Sequence, residues 1–282
     1  MQFYFTNLKK GPKSVEYWLT SFDLMKYPFP PSLIKSVAKY EYNHKVHQRN
    51  LYRFAFGNER PAKLRIGYVS PDFRDHSLAH LFQSIPKFHD RDKFDVYCYI
   101  LNKNDGSSYY QNILEGADVS IDASDLTEPK LADANFKNGI HILINLYGLT
   151  EGSKTKFLAM KPAPVNCLYL GYPMTMGCNF VDYFIGDSIS TPLKNSNHFE
   201  EKLALMPHSY FCSDYKSNHS HLIQQCVCYE EGSVVDSRKT AIINGLDLSS
   251  KIAGLIDSNI PNSSYIFWKM EKFLHHFIPQ SN

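Results

Sequence analysis

The chain has 282 residues, 43% of them hydrophobic and 14% aromatic, with 30 Lys and Arg against 28 Asp and Glu for a formal net charge of +2 at pH 7. That length accommodates one large α/β domain or one domain with an appendage, and the apolar content excludes a disordered chain. The charge balance is too even for a nucleic-acid footprint: basic residues are scattered, with no run longer than Lys9-Lys10, so no nucleic-acid partner is expected.

The six cysteines are Cys98, Cys167, Cys178, Cys212, Cys226 and Cys228. Most sit in apolar, strand-like segments, where Cys behaves as a small hydrophobe. Only Cys226-Val227-Cys228 are close in sequence, and that spacing lacks a zinc pattern. The first residues, Met1 to Leu19, are broken by Asn7, Lys9, Lys10, Pro12 and Lys13, unlike a secretory leader, and no apolar run approaches membrane-spanning length. A reducing compartment follows as the expectation, in which the sequons at Asn218 and Asn262 carry no glycan.

In chain order, residues 1–60 read as a helical lead segment. Pro28 to Pro31 (PFPP) punctuate it, and Ser32 to Tyr42 read as a helix with Leu33, Ile34 and Val37 on one side. No 34-residue helical repeat is visible. Strand-like runs then appear at 64–70, 94–101, 118–122, 140–146, 165–170 and 181–186, alternating with helical candidates at 78–88, 108–116, 127–138 and 153–160. This βαβα alternation predicts an α/β fold, a Rossmann-like doubly wound and mostly parallel sheet with helices on both faces. The nearly continuous apolar runs IHILINL and VNCLYLG fit strands covered on both sides.

The stretch Leu64 to Pro86 holds the densest polar chemistry: a strand, a loop with Asp72 and Asp75, then His76 at the start of a helix whose Leu78, Leu81, Phe82 and Ile85 follow helical spacing. Ser77 or Asp75 is the expected helix cap. A strand's carboxyl end meeting a helix start is where open α/β sheets bind ligands, and a helix start favours negative charge. His76 and His80, four apart, admit three readings. One ring covers the helix start while the other packs on the sheet; or both join Asp72 or Asp75 around a metal; or His76 is a general base, its imidazole titrating near neutral pH. Two glycine-bearing loops, Tyr147 to Gly152 and Gly171 to Gly177, are expected at the same sheet edge, serving either ligand approach or ordinary turns. Neither a G-x-G-x-x-G nor a P-loop occurs.

The run LRIGYVSPDFRDHSLAHLFQSIPKFHDRDKFDVYCY, followed in order by GIHILINLYGLTEG, KPAPVNCLYLGYPMTMG, DYFIGDSISTP, EKLALMPHSYF and INGLDL, resembles the N-terminal catalytic lobe of protein O-linked N-acetylglucosamine (O-GlcNAc) transferases. The resemblance covers about residues 63–248, with a weaker echo at Tyr27-Pro28. It implies one lobe of a GT-B glycosyltransferase, spanning residues 61–248, and a divergent tail at 249–282. It also implies metal-independent, inverting transfer of N-acetylglucosamine from UDP-GlcNAc to Ser or Thr of cytoplasmic and nuclear proteins, with no cofactor, nucleic acid or membrane involved. His76 matches the family histidine proposed as catalytic base. Leu170, Gly171 and Pro173 match the loop lining the sugar and acceptor side, and His141 and Thr150 match residues near the cleft.

The chain also departs from the family. The loop Asn-Gly-Tyr-Thr-Lys-Gly becomes Tyr147-Gly148-Leu149-Thr150-Glu151-Gly152, and Met174 and Met176 replace a Gly and a Ser, an expected intrusion of long side chains beside the sugar pocket. The second lobe, which supplies most of the UDP pocket, and the tandem repeats that dock proteins have no counterpart in the sequence, so a fragment is expected. The alternative is a catalytically inactive relative acting as a protein-interaction module through an exposed half-cleft. His275-His276 read as solvated.

Overall fold

The computed structural model describes residues 20–45, 52, 61–150, 154–207, 209–212 and 214. All but Asp214 belong to one compact unit. The described residues begin with two helices, α1 (Ser21–Leu24) and α2 (Pro31–Lys45). Strands β1 (Leu64–Ser70), β2 (Phe94–Ile100) and β3 (Val119–Asp122) follow, joined by α3 (Ser77–Phe82) and α4 (Ser108–Gly116). Helix α5 (Glu128–Lys137) leads to β4 (Ile142–Asn145), and α6 (Lys156–Ala159) to β5 (Val165–Tyr169). Strands β6 (Tyr183–Asp187) and β7 (Lys202–Met206) complete a seven-stranded sheet in the order β3-β2-β1-β4-β5-β6-β7. All six pairings are parallel. The winding reverses between β1 and β4, the crevice where doubly wound sheets take ligands.

The expected strands all form, β1 over the full 64–70, β6 shifted to end at Asp187 and the others trimmed, and β7 adds a strand the apolar pattern did not announce. It lies at the sheet margin, and its alternating burial begins on the exposed Lys202. The helix expected over 78–88 stops at Phe82; a turn and a 3-10 segment at Pro86–Phe88 follow, because Pro86 lacks the N–H a continued helix would use. Short α1 also went unpredicted, although Thr20 and Asp23 form a reciprocal capping box. Residues 215–282, including the expected tail and His275-His276, lie outside the described residues.

Side-chain alternation splits β1 between two layers. Tyr68 faces α3, its ring 4.9 Å from Phe82, whereas Val69 joins the cluster built from Leu131 and Ala132 of α5, Phe157 and Leu158 of α6, and Ala38 and Tyr42 of α2. Each fully buried Val, Leu or Phe among them contributes roughly 1.5–3 kcal/mol. The lead helices pack on this second layer. Tyr42 meets Phe180 at 4.3 Å between ring centroids, and the Lys35 ammonium donates to the Phe199 carbonyl at 2.6 Å. No helix among the described residues is long and apolar enough to cross a membrane.

The loops leaving β4 and β5 lock into each other. Leu170 holds φ at +66°, and the Gly171 N–H donates to the Tyr169 carbonyl at 2.8 Å, a tight turn that a non-glycine residue adopts only under strain. The reversal lays Gly171 on the end of β4, so close that a Cβ there would stand 1.9 Å from the Leu146 carbonyl oxygen and 3.1 Å from Leu78 Cδ1. In the opposite direction the Tyr172 ring lies on Gly148, where a Cβ would approach it to 2.3 Å. Buried Asn145 completes the joint: its amide oxygen accepts the N–H groups of Tyr147 (2.8 Å) and Gly148 (3.0 Å), and its amide nitrogen reaches Met176 Sδ at 3.8 Å.

Two predictions follow from packing. Gly171→Ala must push apart two backbones, so chemical denaturation should show a loss above about 3 kcal/mol. Gly106→Ala, at positive φ but with no neighbour within 4 Å of the added carbon, should lose only about 1–2 kcal/mol of backbone strain. Equal losses would mean that the contact with Leu146 is not what requires glycine. The second concerns His89, which shares a buried 2.9 Å hydrogen bond with Tyr68. Burial, reinforced by the Arg91 charge, holds its imidazole down at about 3. The unfolded chain gains this proton below about pH 6.5 and the folded chain does not until near 3, so stability should fall as pH drops through that window. Thermal melts of His89→Gln should show a shallower decline than wild type between pH 6.5 and 4; parallel declines would remove His89 as the cause.

Candidate functional site

The site is built at the carboxyl ends of β1, β4 and β5, three adjacent strands. Ser70 closes β1 with its side-chain oxygen accepting the Asp72 N–H at 3.0 Å, and the chain then runs through Phe73 and Asp75 to His76. His76 is extended, with φ −150° and ψ 149°, and is itself the cap of α3: its Nδ1 accepts the Leu78 N–H at 3.1 Å. This differs from the cap expected of Asp75 or Ser77. The Asp75 carboxylate is taken by His80, 2.7 Å away, and Ser77 is already the first helical residue.

That bond decides what the imidazole can do. A neutral ring has one lone pair, and here Nδ1 spends it on a backbone N–H, so the ring proton sits on Nε2. The Nε2 atom lies 3.9 Å from the Asp72 carboxylate, with the side chain 40% exposed. With Nδ1 engaged by the Leu78 N–H, Nε2 is the ring nitrogen left to face solvent. His80 does not pack on the sheet; it pairs with Asp75 and lies 4.2 Å from the Tyr109 ring. With each histidine turned to its own partner, the pair does not form the shared metal site that the spacing allowed. Among the described residues no group of three or more His, Cys, Asp or Glu is placed to hold a metal ion.

Of the other candidates, Gly171 is linked to His76 through Leu78, and Leu170 is its neighbour in the same turn. Leu78, two residues after His76 and bonded to its ring, touches the position of Gly171. Pro173 follows at the exposed outer side of the same turn. Thr150 lies in the neighbouring loop, its hydroxyl donating to the Tyr147 carbonyl at 2.9 Å. It lines a groove of about 1020 Å³ with Phe22, Lys26, Glu128 and Lys156. His141 does not belong with them. It precedes β4 at the amino edge of the sheet, where its Nδ1 accepts the Arg65 N–H at 2.9 Å and its own N–H donates to the Arg65 carbonyl at 2.9 Å. Burial, then the Arg65 charge, lowers its pKa. Arg65 is the second residue of β1 and His76 follows the last, so the whole strand separates the two histidines.

Gly148, Gly171 and Gly177 each sit where an added Cβ would meet a neighbouring loop or helix, and of the departures from the family pattern Tyr147, Leu149, Met174 and Met176 turn inward. Tyr147 is 1% exposed, its hydroxyl donating to the Lys154 carbonyl, and Leu149 joins the same core. Met176 is fully buried, while Met174 packs on Leu24, Ile34 and Val37 of the lead helices. The expected intrusion of these methionines beside a sugar pocket is thus corrected: their side chains fill the space between the turn and α1–α2. Beneath the turn lies Glu201, 5% exposed, whose carboxylate accepts the Thr175 hydroxyl at 2.6 Å and the Met176 N–H at 2.8 Å. Burial raises its pKa against those bonds. Glu201 and Asn145 were missed from sequence, though an Asn closing an apolar strand before Tyr-Gly carries a turn signal.

With this geometry in hand, comparison with known proteins adds its own finding. The chain matches the family described as Glycosyl transferase family 41 over residues 25–265. It is 42% identical over 173 residues to the UDP-N-acetylglucosamine--peptide N-acetylglucosaminyltransferase of Caenorhabditis elegans, covering 61% of this chain and 15% of the relative. It is 38% identical over 161 residues to the probable transferase SEC of Arabidopsis thaliana, covering 57% of this chain and 16% of that protein. The fold is that of an O-GlcNAc transferase structure from Thermobaculum terrenum: TM-score 0.63, 24% identity, 68% of this chain and 37% of that one covered. The chain thus spans a small part of its relatives' length, and the part it spans carries a GT-B-type Rossmann-like sheet. By its family match, its relatives and its fold, the chain belongs to glycosyl transferase family 41.

Proposed function

We propose that this chain supplies the acceptor-side lobe for transfer of N-acetylglucosamine from UDP-GlcNAc to Ser or Thr hydroxyls of cytoplasmic and nuclear proteins. The observation carrying this reading is the convergence of His76 and the Leu170–Gly171 turn through Leu78, at the crevice where the sheet reverses. In the inverting reaction the acceptor oxygen forms its bond to the anomeric carbon on the face opposite UDP. The bond from that carbon to the phosphate oxygen breaks, and the hydroxyl proton leaves. His76 contributes a preorganised Nε2–H donor at the rim, directed at an oxygen of donor or acceptor, while the proton departs to a group other than this ring. The strained turn at Leu170 holds the opposing wall without side-chain bulk at Gly171. In this reading the nucleotide is held by a second lobe, for which this sequence has no counterpart, and the reaction proceeds without a metal ion or other cofactor. The interaction-module alternative drew on the altered loops together with the missing second lobe; the inward direction of Tyr147, Leu149, Met174 and Met176 takes away the first of these motives only.

A lobe exchange tests the reading. The matching 173-residue stretch of the Caenorhabditis elegans transferase is replaced by that of this chain, and transfer of labelled N-acetylglucosamine onto a Ser/Thr protein is measured. Transfer above background is expected, falling by roughly 10²–10³ with His76→Ala, the scale for removing one preorganised donor. A chimera that folds and binds UDP yet transfers nothing sinks the proposal.

A further inference from the structure

The loop carrying His76 is held from outside by the loop that follows β2. Asn102 grips Phe73 in both directions: its Oδ1 accepts the Phe73 N–H at 3.1 Å and its Nδ2 donates to the Phe73 carbonyl at 2.8 Å. A single side chain thus stands in for a neighbouring strand where the ladder has ended. Two residues on, the Asp105 carboxylate accepts the Asp75 N–H at 2.6 Å. Asp105 is itself fixed, its other oxygen accepting the Ser107 N–H at 3.1 Å and hydroxyl at 2.7 Å. The bond from the Asp75 N–H, then those from Ser107, keep its carboxyl below the usual range and hence ionised. The two grips bracket the approach to His76, and Phe73, fully buried and stacked 5.1 Å from Phe82, anchors the first of them to α3.

We infer that Asn102 and Asp105 are positioning residues that fix the extended backbone at His76 and so keep its Nδ1 on the Leu78 N–H. The other bonds of this loop run within it or into α3: Asp72 bonds back to Ser70, the Asp75 side chain turns to His80, and the His76 carbonyl accepts the His80 N–H at 3.0 Å. The charged and titratable groups around the ring are Asp72 at 3.9 Å, Arg74 paired with Asp72 at 3.4 Å, and the Asp75–His80 pair. None of them contacts Asn102, so its removal leaves the local charges unchanged and acts through geometry. The catalytic meaning of the clamp rests on the function proposed above; the clamp itself does not.

The test uses this chain. Amide hydrogen exchange is followed at Leu78 and at Ile144 of β4, with two-bond ¹H–¹⁵N spectra of the His76 ring, in Asn102→Ala, Asp105→Ala and Asp105→Asn. The expected result is exchange at Leu78 faster by about tenfold or more in both alanine variants, with Ile144 unchanged. The His76 ring should lose its single-tautomer signature, with a pyridine-type Nδ1 and a pyrrole-type Nε2, in the same two variants. Asp105→Asn keeps one acceptor oxygen for the Asp75 N–H but gives up the carboxylate's bonds from Ser107, and should accelerate Leu78 exchange less than Asp105→Ala does. Unchanged Leu78 exchange in both alanine variants overturns the inference, as does equal acceleration at Ile144, the mark of general loosening. An inactive lobe-exchange chimera would instead count against the transferase reading and leave these measurements as they stand.

Discussion

The contact on which the site depends is backbone against backbone, the α-carbon of Gly171 on the carbonyl of Leu146. No side chain fits between them, so the turn after β5 can rest on the end of β4 only while position 171 is glycine. That closeness brings Leu78 against the turn and draws α3, with His76 at its cap, up to the second wall of the crevice. The reciprocal seating of Tyr172 on Gly148, and Asn145 bridging both loops, make the joint cooperative: each loop is the other's floor. Strain at Leu170 is the cost of the reversal, and buried neighbours on every side hold it in place.

The chemistry offered by His76 follows from a helix cap. Histidine is not among the preferred capping residues, and its use here ties a ring nitrogen to the backbone. The bond converts an ambivalent imidazole into a donor with one free direction. A histidine in this place reads as a base from its residue type alone, because a sequence shows the ring and not which nitrogen is engaged. The same limit applies to His80, whose partner Asp75 was in view but was equally available to cap, to ligate or to pair.

Substitutions that look damaging in a motif can be harmless when their side chains have somewhere else to go. Met174 and Met176 occupy space against the lead helices and Asn145, and a flexible thioether fills such irregular gaps well. Tyr147 replaces a polar residue at a position where a hydroxyl still finds a carbonyl, at Lys154.

Alternating apolar runs and their order were enough to determine a doubly wound sheet, because parallel strands buried on both faces must be apolar along their length. The ordered motifs were likewise enough to place the chain in its family. The sequence could not show that β7 extends the sheet, since a short marginal strand beginning on an exposed lysine carries little period. Nor could it separate His76 from His141, which sit beside similar strands but at opposite ends of parallel ones. Which end of a strand a residue occupies, which lone pair a ring has spent, and whether a glycine faces a ligand or a carbonyl all depend on neighbours far away in the chain. Those were settled only when the strands paired and the loops closed on one another.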